Sequence, residues 1–341
     1  MIILCFGTRP EVIKMSPLIH ELSRRGIPFK TVFTGQHREL FEDVMHLIPK
    51  PDYYLNIMSH NQSLNDILHS ISLKLPKILR DEKASLLIVQ GDTLTVTASA
   101  LVAFYEKVKV GHVEAGLRTF NLQNPFPEEA NRQIVSRIAD YNWVPTQEAF
   151  ENLQRENIKN IFLTGNTIVD ICQSYEFTIT YGNKILITLH RRENFGEPLK
   201  KMLTEIEELA ITYPELKFIF PMHPNPNVQQ WRPLLKHVEV VEPLKYEELL
   251  QLLSEVKFVI SDSGGIQEEC ASFGKKILVC RETTERPEGV KIGMAKLVGS
   301  NILGNFPWAN NQSEWQGVNP YGDGTASQKI VDTISHPPYP S

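Results

Sequence analysis

The sequence predicts an α/β protein with two doubly wound parallel-sheet domains that face a ligand cleft. Short apolar segments alternate with amphipathic helical segments along the chain, the pattern of parallel sheets with helical crossovers. Polar and aromatic residues at 170–183 interrupt the alternation once, and 341 residues is the length of two ordinary domains. Two such domains facing one another would leave a cleft for a ligand.

In the first half, apolar segments predict strands and helical periodicity predicts the helices between them. The predicted strands are 2–6, 30–33, 85–89, 108–113, 141–144 and 160–163. The predicted helices are 11–25, 63–79, 95–104 and 128–138. We therefore place the N-terminal domain at 1–170.

The second half repeats the alternation, and we place the C-terminal domain at 171–325. Its predicted strands are 184–188, 217–220, 238–241, 258–261 and 276–279, and its predicted helices are 198–213, 246–253 and 266–273. After Pro307 a polar stretch rich in Gly, Pro and Asn precedes one last predicted helix at 326–334. Such a helix could return to the first domain, which the sequence alone leaves open.

Composition excludes several classes of protein. The chain is 42% hydrophobic and 22% charged with a net charge of −5, so it carries no global signal for nucleic acid, and any anionic substrate must be held by local positive groups. Its N-terminus predicts a strand rather than a signal peptide, and no apolar run approaches the ~20 residues of a membrane span. Cys5, Cys172, Cys270 and Cys280 lack metal-site spacing, which predicts buried free thiols in a reducing cytoplasm.

The segment richest in chemistry follows the predicted strand 108–113 and reads GHVEAGLRTFNLQNPFPEEANR. Around a Pro-x-Pro turn it carries three carboxylates and two arginines: Glu114, Glu128, Glu129, Arg118 and Arg132. Because open α/β sheets place their chemistry at the carboxyl ends of strands, this composition predicts acid/base work on an anionic ligand. A solvated surface turn is the alternative, since charge clusters commonly face water.

Two other turns of the first half carry charge beside a strand end. The GTRPE motif at 7–11 combines a glycine that permits close backbone approach with positive charge from Arg9 and Lys14. It is not a G-x-G-x-x-G motif, which argues against a tightly bound dinucleotide. Asp92 follows the strand 85–89, where a helix N-cap would explain it without any function.

The second half offers two candidate sites for a diphosphate. A His-Arg-Arg triplet at 190–192 lies just past the strand 184–188 and has the character of a phosphate clamp. A Ser-Gly-Gly turn at 263–265 places backbone N–H groups at a helix N-terminus, where an anion binds readily, although a capped helix is the alternative. Glu268 and Glu269, one turn further on, suit sugar hydroxyls better than phosphate.

No H-E-x-x-H, C-x-x-C, G-x-S-x-G or P-loop motif occurs in the chain. This argues against a zinc hydrolase, an esterase and a P-loop kinase. We expect neither a metal nor an organic cofactor.

From end to end, the chain resembles the non-hydrolysing UDP-N-acetylglucosamine (UDP-GlcNAc) 2-epimerases. Ten strings match in the order of that family: GTRPE at 7–11, TGQHRE at 34–39, GDT at 91–93, HVEAGLRT at 112–119, PFPEEANR at 125–132, TGNTIVD at 164–170, HRRENFG at 190–196, SDSGGIQEE at 261–269, TTERPE at 283–288 and NPYGDG at 319–324.

The resemblance implies two Rossmann-like domains arranged as in GT-B glycosyltransferases, with the final segment, about 326–341, packing back onto the first domain. It also implies a homodimer that interconverts UDP-GlcNAc and UDP-ManNAc for cell-surface polysaccharide synthesis. The implied catalytic positions are Asp92, Glu114, Glu128 and His190. The implied substrate and UDP positions are Arg9, Lys14, Arg132, Ser263, Gly264, Gly265 and Glu269. A second, activating UDP-GlcNAc site of some members matches Gln36, His37, Arg191 and His223, but Ser70 stands where an arginine is expected.

The implied reaction explains why carboxylates are needed. Departure of UDP from C1 makes the C2 proton acidic, and its removal gives 2-acetamidoglucal, which inverts C2 when it is reprotonated on the opposite face. We expect Asp92 as the base, with Glu114 and Glu128 completing the acid/base set and the assignment of faces open. A hydrolysing relative that releases ManNAc and UDP, an inactive sugar-nucleotide binder and a GT-B glycosyltransferase remain as alternatives.

Overall fold

The computed structural model describes residues 1–35, 42–57, 62–311 and 314–336. The chain divides into two compact units. The N-terminal unit holds residues 1–174 and the segment that begins at Tyr321, called the tail below, whereas the C-terminal unit spans Tyr175–Pro320.

The sheet of the N-terminal unit is entirely parallel over the described residues. Its strands are β1 (Ile2–Phe6), β2 (Phe29–Phe33), β3 (Tyr53–Tyr54), β4 (Leu86–Gln90), β5 (Lys109–Val113), β6 (Tyr141–Val144) and β7 (Ile161–Leu163). They lie in the order β3-β2-β1-β4-β5-β6-β7.

The C-terminal unit contains a second parallel sheet. Its strands are β8 (Lys184–Thr188), β9 (Lys217–Pro221), β10 (Glu239–Val241), β11 (Phe258–Ser261), β12 (Ile277–Val279) and β13 (Ala295–Leu297), in the order β10-β9-β8-β11-β12-β13. In both sheets the strand order reverses once, between β1 and β4 and between β8 and β11. Doubly wound folds bind ligands at such switch points, beside the carboxyl ends of the strands.

Helices connect these strands. The N-terminal unit has α1 (Arg9–Arg24), α2 (Leu64–Asp81), α3 (Leu94–Tyr105), α4 (Glu128–Ile138), α5 (Gln147–Arg155) and α6 (Thr167–Gln173). The C-terminal unit has α7 (Glu197–Thr212), α8 (Pro226–Gln229), α9 (Tyr246–Glu255), α10 (Gly264–Ser272), α11 (Pro287–Lys291) and α12 (Phe306–Asn310). The tail adds α13 (Ala326–Ser335). No helix of the described residues combines the length and the apolar character needed to cross a bilayer.

Burial explains the sequence pattern of each element. All five residues of β1 are buried, as expected for a strand of a parallel sheet that is covered on both faces. On α2 the buried residues recur every fourth position, at Ile67, Ile71, Leu75 and Leu79, which makes the single apolar stripe of an amphipathic helix. Gly111 on β5 leaves room for Trp143 of the neighbouring strand, because a Cβ there would lie 2.5 Å from the indole ring.

The tail packs on the N-terminal unit through α13, which contacts α1 and α6. Asp170 of α6 accepts the backbone N–H groups of Ala326 (3.0 Å) and Ser327 (2.7 Å) and the Ser327 hydroxyl (2.6 Å) at the start of α13. Near its other end, Thr333 Oγ1 accepts a hydrogen bond of 2.7 Å from the Trp143 indole N–H. Both ends of α13 are therefore anchored.

The predicted fold class is confirmed, since both sheets are parallel and doubly wound. All predicted strands occur, each within one residue of its predicted ends. The prediction missed β3 and β13, together with α5, α6 and the short helices of the C-terminal unit. The reading of Asp92 as a helix N-cap is wrong, because Thr93 takes that position at the start of α3 and accepts the Val96 N–H.

Candidate active site

Two carboxylates follow neighbouring strands of the N-terminal unit. Asp92 lies two residues beyond β4, and Glu114 directly follows β5. These strands are parallel partners, with Gln90 opposite Val113. Because the carboxyl ends of parallel strands meet at one edge of the sheet, the two carboxylates stand at adjacent positions of that edge.

Glu114 is a buried carboxylate whose charge is balanced within the fold. Its Oε2 forms an ion pair with Lys14 Nζ and accepts hydrogen bonds of 3.2 Å from both Gln90 Nε2 and Asn166 Nδ2. The Lys14 and Glu114 side chains are only 7% and 6% exposed. The backbone of Glu114 is left-handed, with φ of +64°, a conformation rare outside glycine and enriched at functional sites.

Asp92 is held from α4 instead. The Arg132 guanidinium donates to Asp92 Oδ2 from Nη2 (2.6 Å) and Nε (2.9 Å), and Asn131 Nδ2 donates to the Asp92 backbone carbonyl at 2.8 Å. Glu128, the third predicted catalytic carboxylate, begins the same helix one turn before Arg132. The Asp92 side chain is 27% exposed, so of Asp92 and Glu114 it is the one that solvent reaches.

Other charges of the segment 111–132 hold its loop. Glu129 is fully buried and accepts two backbone N–H groups at 119–120, at 2.9 and 3.1 Å. Arg118 donates two hydrogen bonds to the Glu156 carboxylate, at 2.7 and 2.9 Å. Glu129 and Arg118 therefore hold the loop that follows β5.

His112 is a supporting residue that sequence analysis missed. It is fully buried, and its Nε2 lies 2.7 Å from the Gly91 carbonyl oxygen, directly before Asp92. Burial lowers the pKa of His112 from 6.5 to about 4, which the hydrogen bond to Gly91 only partly opposes. The neutral imidazole thus supports the turn that carries Asp92 through its contact with the Gly91 carbonyl.

The turn after β1 is closed by a carboxylate of its own motif. A Cβ at Gly7 would collide with Thr34 Oγ1, so only glycine fits there. Glu11 accepts hydrogen bonds from the backbone N–H groups of Gly7 (2.6 Å) and Thr8 (3.3 Å) and from Thr93 Oγ1 (2.6 Å). Burial raises the pKa of Glu11 from 4.5 to about 7, and these hydrogen bonds offset only part of that effect.

Both predicted cationic ligands near this turn are paired with carboxylates. Arg9 Nε donates to Asp43 Oδ2 at 3.0 Å, and Lys14 pairs with Glu114 as described above. About a quarter of the Arg9 and Asp43 side chains is exposed, 27% and 26% respectively. Arg9 is therefore reachable from solvent, whereas Lys14 is sequestered with the buried carboxylate.

In the C-terminal unit, Asp262 organises the loop that carries His190. This fully buried carboxylate accepts the backbone N–H groups of His190 (3.1 Å) and Arg191 (2.9 Å) and the Asn194 side-chain amide (2.9 Å). Because Asp262 follows β11 and His190 follows β8, these contacts span the switch point of this sheet. Sequence analysis did not single out Asp262, although it lies inside the SDSGG string.

His190 stacks on His223, a predicted member of the second UDP-GlcNAc site. Their ring centroids are 5.5 Å apart with an interplanar angle of 13°. Burial lowers the pKa of both imidazoles, and the nearby Asp262 carboxylate opposes this shift. His223 Nδ1 accepts the Asn225 N–H at 3.1 Å, which leaves Nε2 as its protonated nitrogen.

The Ser-Gly-Gly turn begins α10, as the sequence predicts. Ser263 is the N-cap, and its own N–H donates to Ser261 Oγ at 2.9 Å. Gly264 and Gly265 form the start of the first turn, where helix N–H groups have no partner within the helix. Glu269 is buried on the same helix.

A chain of alternating charges lies behind this turn, and sequence analysis missed most of it. Glu193 accepts from Arg281 Nε at 2.9 Å, and Arg281 Nη1 donates to Glu285 at 2.9 Å. Glu285 also pairs with Arg286, whose Nε donates to Glu268 Oε1 at 2.6 Å. Glu268 therefore has a partner within the fold, and its expected role with sugar hydroxyls stays a prediction.

A model of the UDP-N-acetylglucosamine 2-epimerase family matches residues 20–335 of the chain. The chain belongs to this family. Among its relatives, the UDP-N-acetylglucosamine 2-epimerase of Campylobacter jejuni is 43% identical, and the similarity covers 98% of this chain and 97% of that protein.

Solved structures agree with this epimerase family. The crystal structure of UDP-GlcNAc 2-epimerase from Neisseria meningitidis bound to UDP-GlcNAc is similar with a TM-score of 0.90 and 42% identity, covering 98% of this chain and 99% of that one. A lipopolysaccharide outer core galactosyltransferase is similar in fold, with a TM-score of 0.61 at 12% identity and coverage of 98% and 99%.

In this epimerase-family chain, the predicted site residues form two groups, one in each unit. Two predicted ligands of the second UDP-GlcNAc site, Gln36 and His37, lie outside the described residues. Ser70, which stands in place of the expected arginine, is partly buried on α2. Within the described ranges, no cluster of three or more His, Cys, Asp or Glu side chains is arranged to hold a metal ion.

Proposed function

We propose that the protein interconverts UDP-GlcNAc and UDP-ManNAc by non-hydrolytic inversion at C2. The observation that carries the proposal is the pair of carboxylates at adjacent strand ends, Asp92 and Glu114, each with its own cation. Arg132 compensates the charge of Asp92 at 2.6 Å, and Lys14 compensates that of Glu114. Two carboxylates at adjacent strand ends, each paired with its own cation, suit a reaction that needs two proton carriers.

The C-terminal unit supplies groups for the leaving diphosphate. The loop at 190–192 and the start of α10 meet the same switch point, and a helix N-terminus stabilises an anion through its N–H groups and its dipole. We assign His190, Ser263, Gly264 and Gly265 to this role, with Glu269 for hydroxyl groups. In the N-terminal unit, we assign Arg9, whose guanidinium is partly exposed, to substrate binding.

The proposed reaction balances without a cofactor. The C1–O bond breaks and its electron pair leaves with UDP, which makes the proton at C2 acidic. Asp92 removes that proton, and the C2–H electron pair forms the C1–C2 double bond of 2-acetamidoglucal. A second carboxylate, Glu114 or Glu128, delivers a proton to the opposite face, and UDP returns to C1.

Proton NMR of the purified protein with UDP-GlcNAc in D₂O tests this proposal. We expect UDP-ManNAc to appear, with deuterium at C2 of both epimers. Free ManNAc and UDP would instead assign the hydrolysing reaction. An unchanged spectrum would contradict the proposal, and it would favour a binding role or a different sugar.

Two further proposals concern the cellular location of the enzyme and its oligomeric state. We propose that the enzyme acts in the cytoplasm, since all four cysteines are buried free thiols, as is usual in a reducing compartment. We also propose a homodimer, which sedimentation equilibrium would test, with a monomer mass of 38.9 kDa as the contrary result.

A further inference from the structure

One buried carboxylate of the N-terminal unit has no part in the proposed reaction. Glu11 is 2% exposed and lies at the switch point between β1 and β4. In nucleotide-binding turns of this topology, the N–H groups after the first strand are offered to a ligand phosphate. Here the Gly7 and Thr8 N–H groups are taken by Glu11, at 2.6 and 3.3 Å. The Glu11 carboxylate therefore occupies the position that a ligand phosphate takes in those turns.

The second oxygen of Glu11 reaches the turn that carries Asp92. Thr93 Oγ1 donates to Glu11 Oε1 at 2.6 Å, although the two residues are 82 positions apart in the sequence. Thr93 Oγ1 also accepts the Val96 N–H, because Thr93 is the N-cap of α3. Asp92, one residue earlier, is held by Arg132 of α4. The Asp92 turn is thus fixed between α4 and Glu11.

We propose that Glu11 is a positioning residue, whose carboxylate replaces a ligand phosphate in the first turn and, through Thr93, sets the orientation of Asp92. This rests on the proposed function of Asp92 as the base. A displacement of about 1 Å in a reacting group can lower a rate about a hundredfold, so a brace of this kind acts on turnover rather than on binding.

Helix capping alone does not account for Glu11. A capping residue satisfies N–H groups within its own turn, whereas Glu11 also contacts a hydroxyl of another loop. Burial disfavours the ionised form, as the raised pKa of Glu11 shows, so the charge weakens the fold rather than strengthening it. A neutral polar residue would cap the helix without that penalty.

The test compares Glu11→Ala, Glu11→Gln and Thr93→Val with a matched control, Asp170→Ala. Asp170 also accepts two backbone N–H groups and one hydroxyl in the N-terminal unit, but it anchors α13. Glutamine can accept the two N–H groups through its oxygen and donate to Thr93 Oγ1 through its amide, so it preserves all three contacts.

For each variant, kcat and KM for UDP-GlcNAc epimerisation are measured together with Tm. We expect Glu11→Ala and Thr93→Val to lower kcat about a hundredfold with KM within about threefold of wild type, since the diphosphate is held elsewhere. Glu11→Gln should recover kcat to within about tenfold of wild type, and Asp170→Ala should lower Tm while kcat changes less than about threefold.

Three results would overturn the proposal: an unaltered kcat in Thr93→Val, an equal loss of kcat in Asp170→Ala, or no recovery in Glu11→Gln. Thr93→Val and Glu11→Gln carry the test even if Glu11→Ala does not fold. Failure of the proposed function is distinct, because wild type would then produce no UDP-ManNAc. In that case amide hydrogen exchange at 93–97 decides. Exchange should be faster in Thr93→Val than in Glu11→Gln and Asp170→Ala, and equal exchange in the three variants would refute the role of Glu11.

Discussion

Removal of Lys14 should expose how strongly the fold depends on the balance of charge around Glu114. In Lys14→Met, the Glu114 carboxylate, which is 6% exposed in the wild-type structure, loses this ion pair while the neutral donors Gln90 and Asn166 remain. Breaking a buried ion pair from one side costs about 3–5 kcal/mol, because the remaining charge is desolvated without compensation. Glu114→Gln should cost a similar amount, since it leaves the ammonium group buried.

The double variant separates charge balance from catalysis. With Lys14→Met and Glu114→Gln combined, no uncompensated charge remains, so the free energy of unfolding should return to within about 1–2 kcal/mol of wild type. Turnover should stay lost in the double variant if Glu114 is the second proton carrier, and it should recover together with stability if Glu128 is. The double variant therefore also decides between these two carboxylates.

Urea unfolding followed by circular dichroism measures stability, and the NMR assay measures turnover. Equal slopes against urea in all four proteins would show that the same surface is exposed on unfolding. Single variants that lose less than about 1 kcal/mol would refute the reasoning, since the pair would then behave as a solvated surface ion pair. A double variant no more stable than either single one would refute it as well.

Three more predictions concern the proposed base, Asp92, and two supporting residues, His112 and Asp262. Asp92→Asn should reduce turnover by about a thousandfold or more while the Kd for UDP, measured by calorimetry, stays within about threefold of wild type; substantial turnover would exclude Asp92 as the base. The neutral form of His112, with its pKa lowered from 6.5 to about 4, contributes stability that is present above pH 6.5 and lost as pH falls towards 4. Between pH 7 and pH 4.5, the free energy of unfolding measured in urea should therefore fall by about 2–3 kcal/mol more in wild type than in His112→Gln. An equal fall in the two proteins would contradict this. Asp262→Asn removes the charged acceptor of the His190 N–H and should weaken UDP binding about tenfold in calorimetry, with an unchanged Kd as the contrary result.

The sequence was sufficient for most strands because they are rich in apolar residues, as β1 and β4 show most clearly. β3 escaped prediction because its two residues are too few for any period to show. β13 was missed although β7 and β10, which are also three-residue edge strands, were predicted. The start of α10 was predicted two residues late, since Gly264 and Gly265 are poor helix formers that occur here beside an N-cap serine.

The sequence indicated which residues belong to the candidate site, but it did not indicate which residues contact one another there. Its charged residues stand next to strand ends in the sequence, which local pattern can detect. The partner of Glu114 is Lys14, 100 residues earlier, and no local pattern links the two. Glu11 and Asp262 were passed over because a carboxylate that accepts backbone N–H groups looks like any surface carboxylate until its burial is known. The roles assigned to the site residues remain predictions.

The alternating charge chain behind α10 restricts how this protein can diversify. Each of the inner residues of this chain, Arg281, Glu285 and Arg286, contacts two opposite charges. Replacing one of them therefore removes an ion-pair partner from two neighbouring residues at once. Glu193, at one end, is 38% exposed, and among the described residues it pairs with Arg281 alone. Water can take over its half of that pair. A library randomised one position at a time should therefore return folded variants mainly at Glu193. Change at the inner positions requires simultaneous substitutions, which makes this region slow to drift even where it touches no ligand.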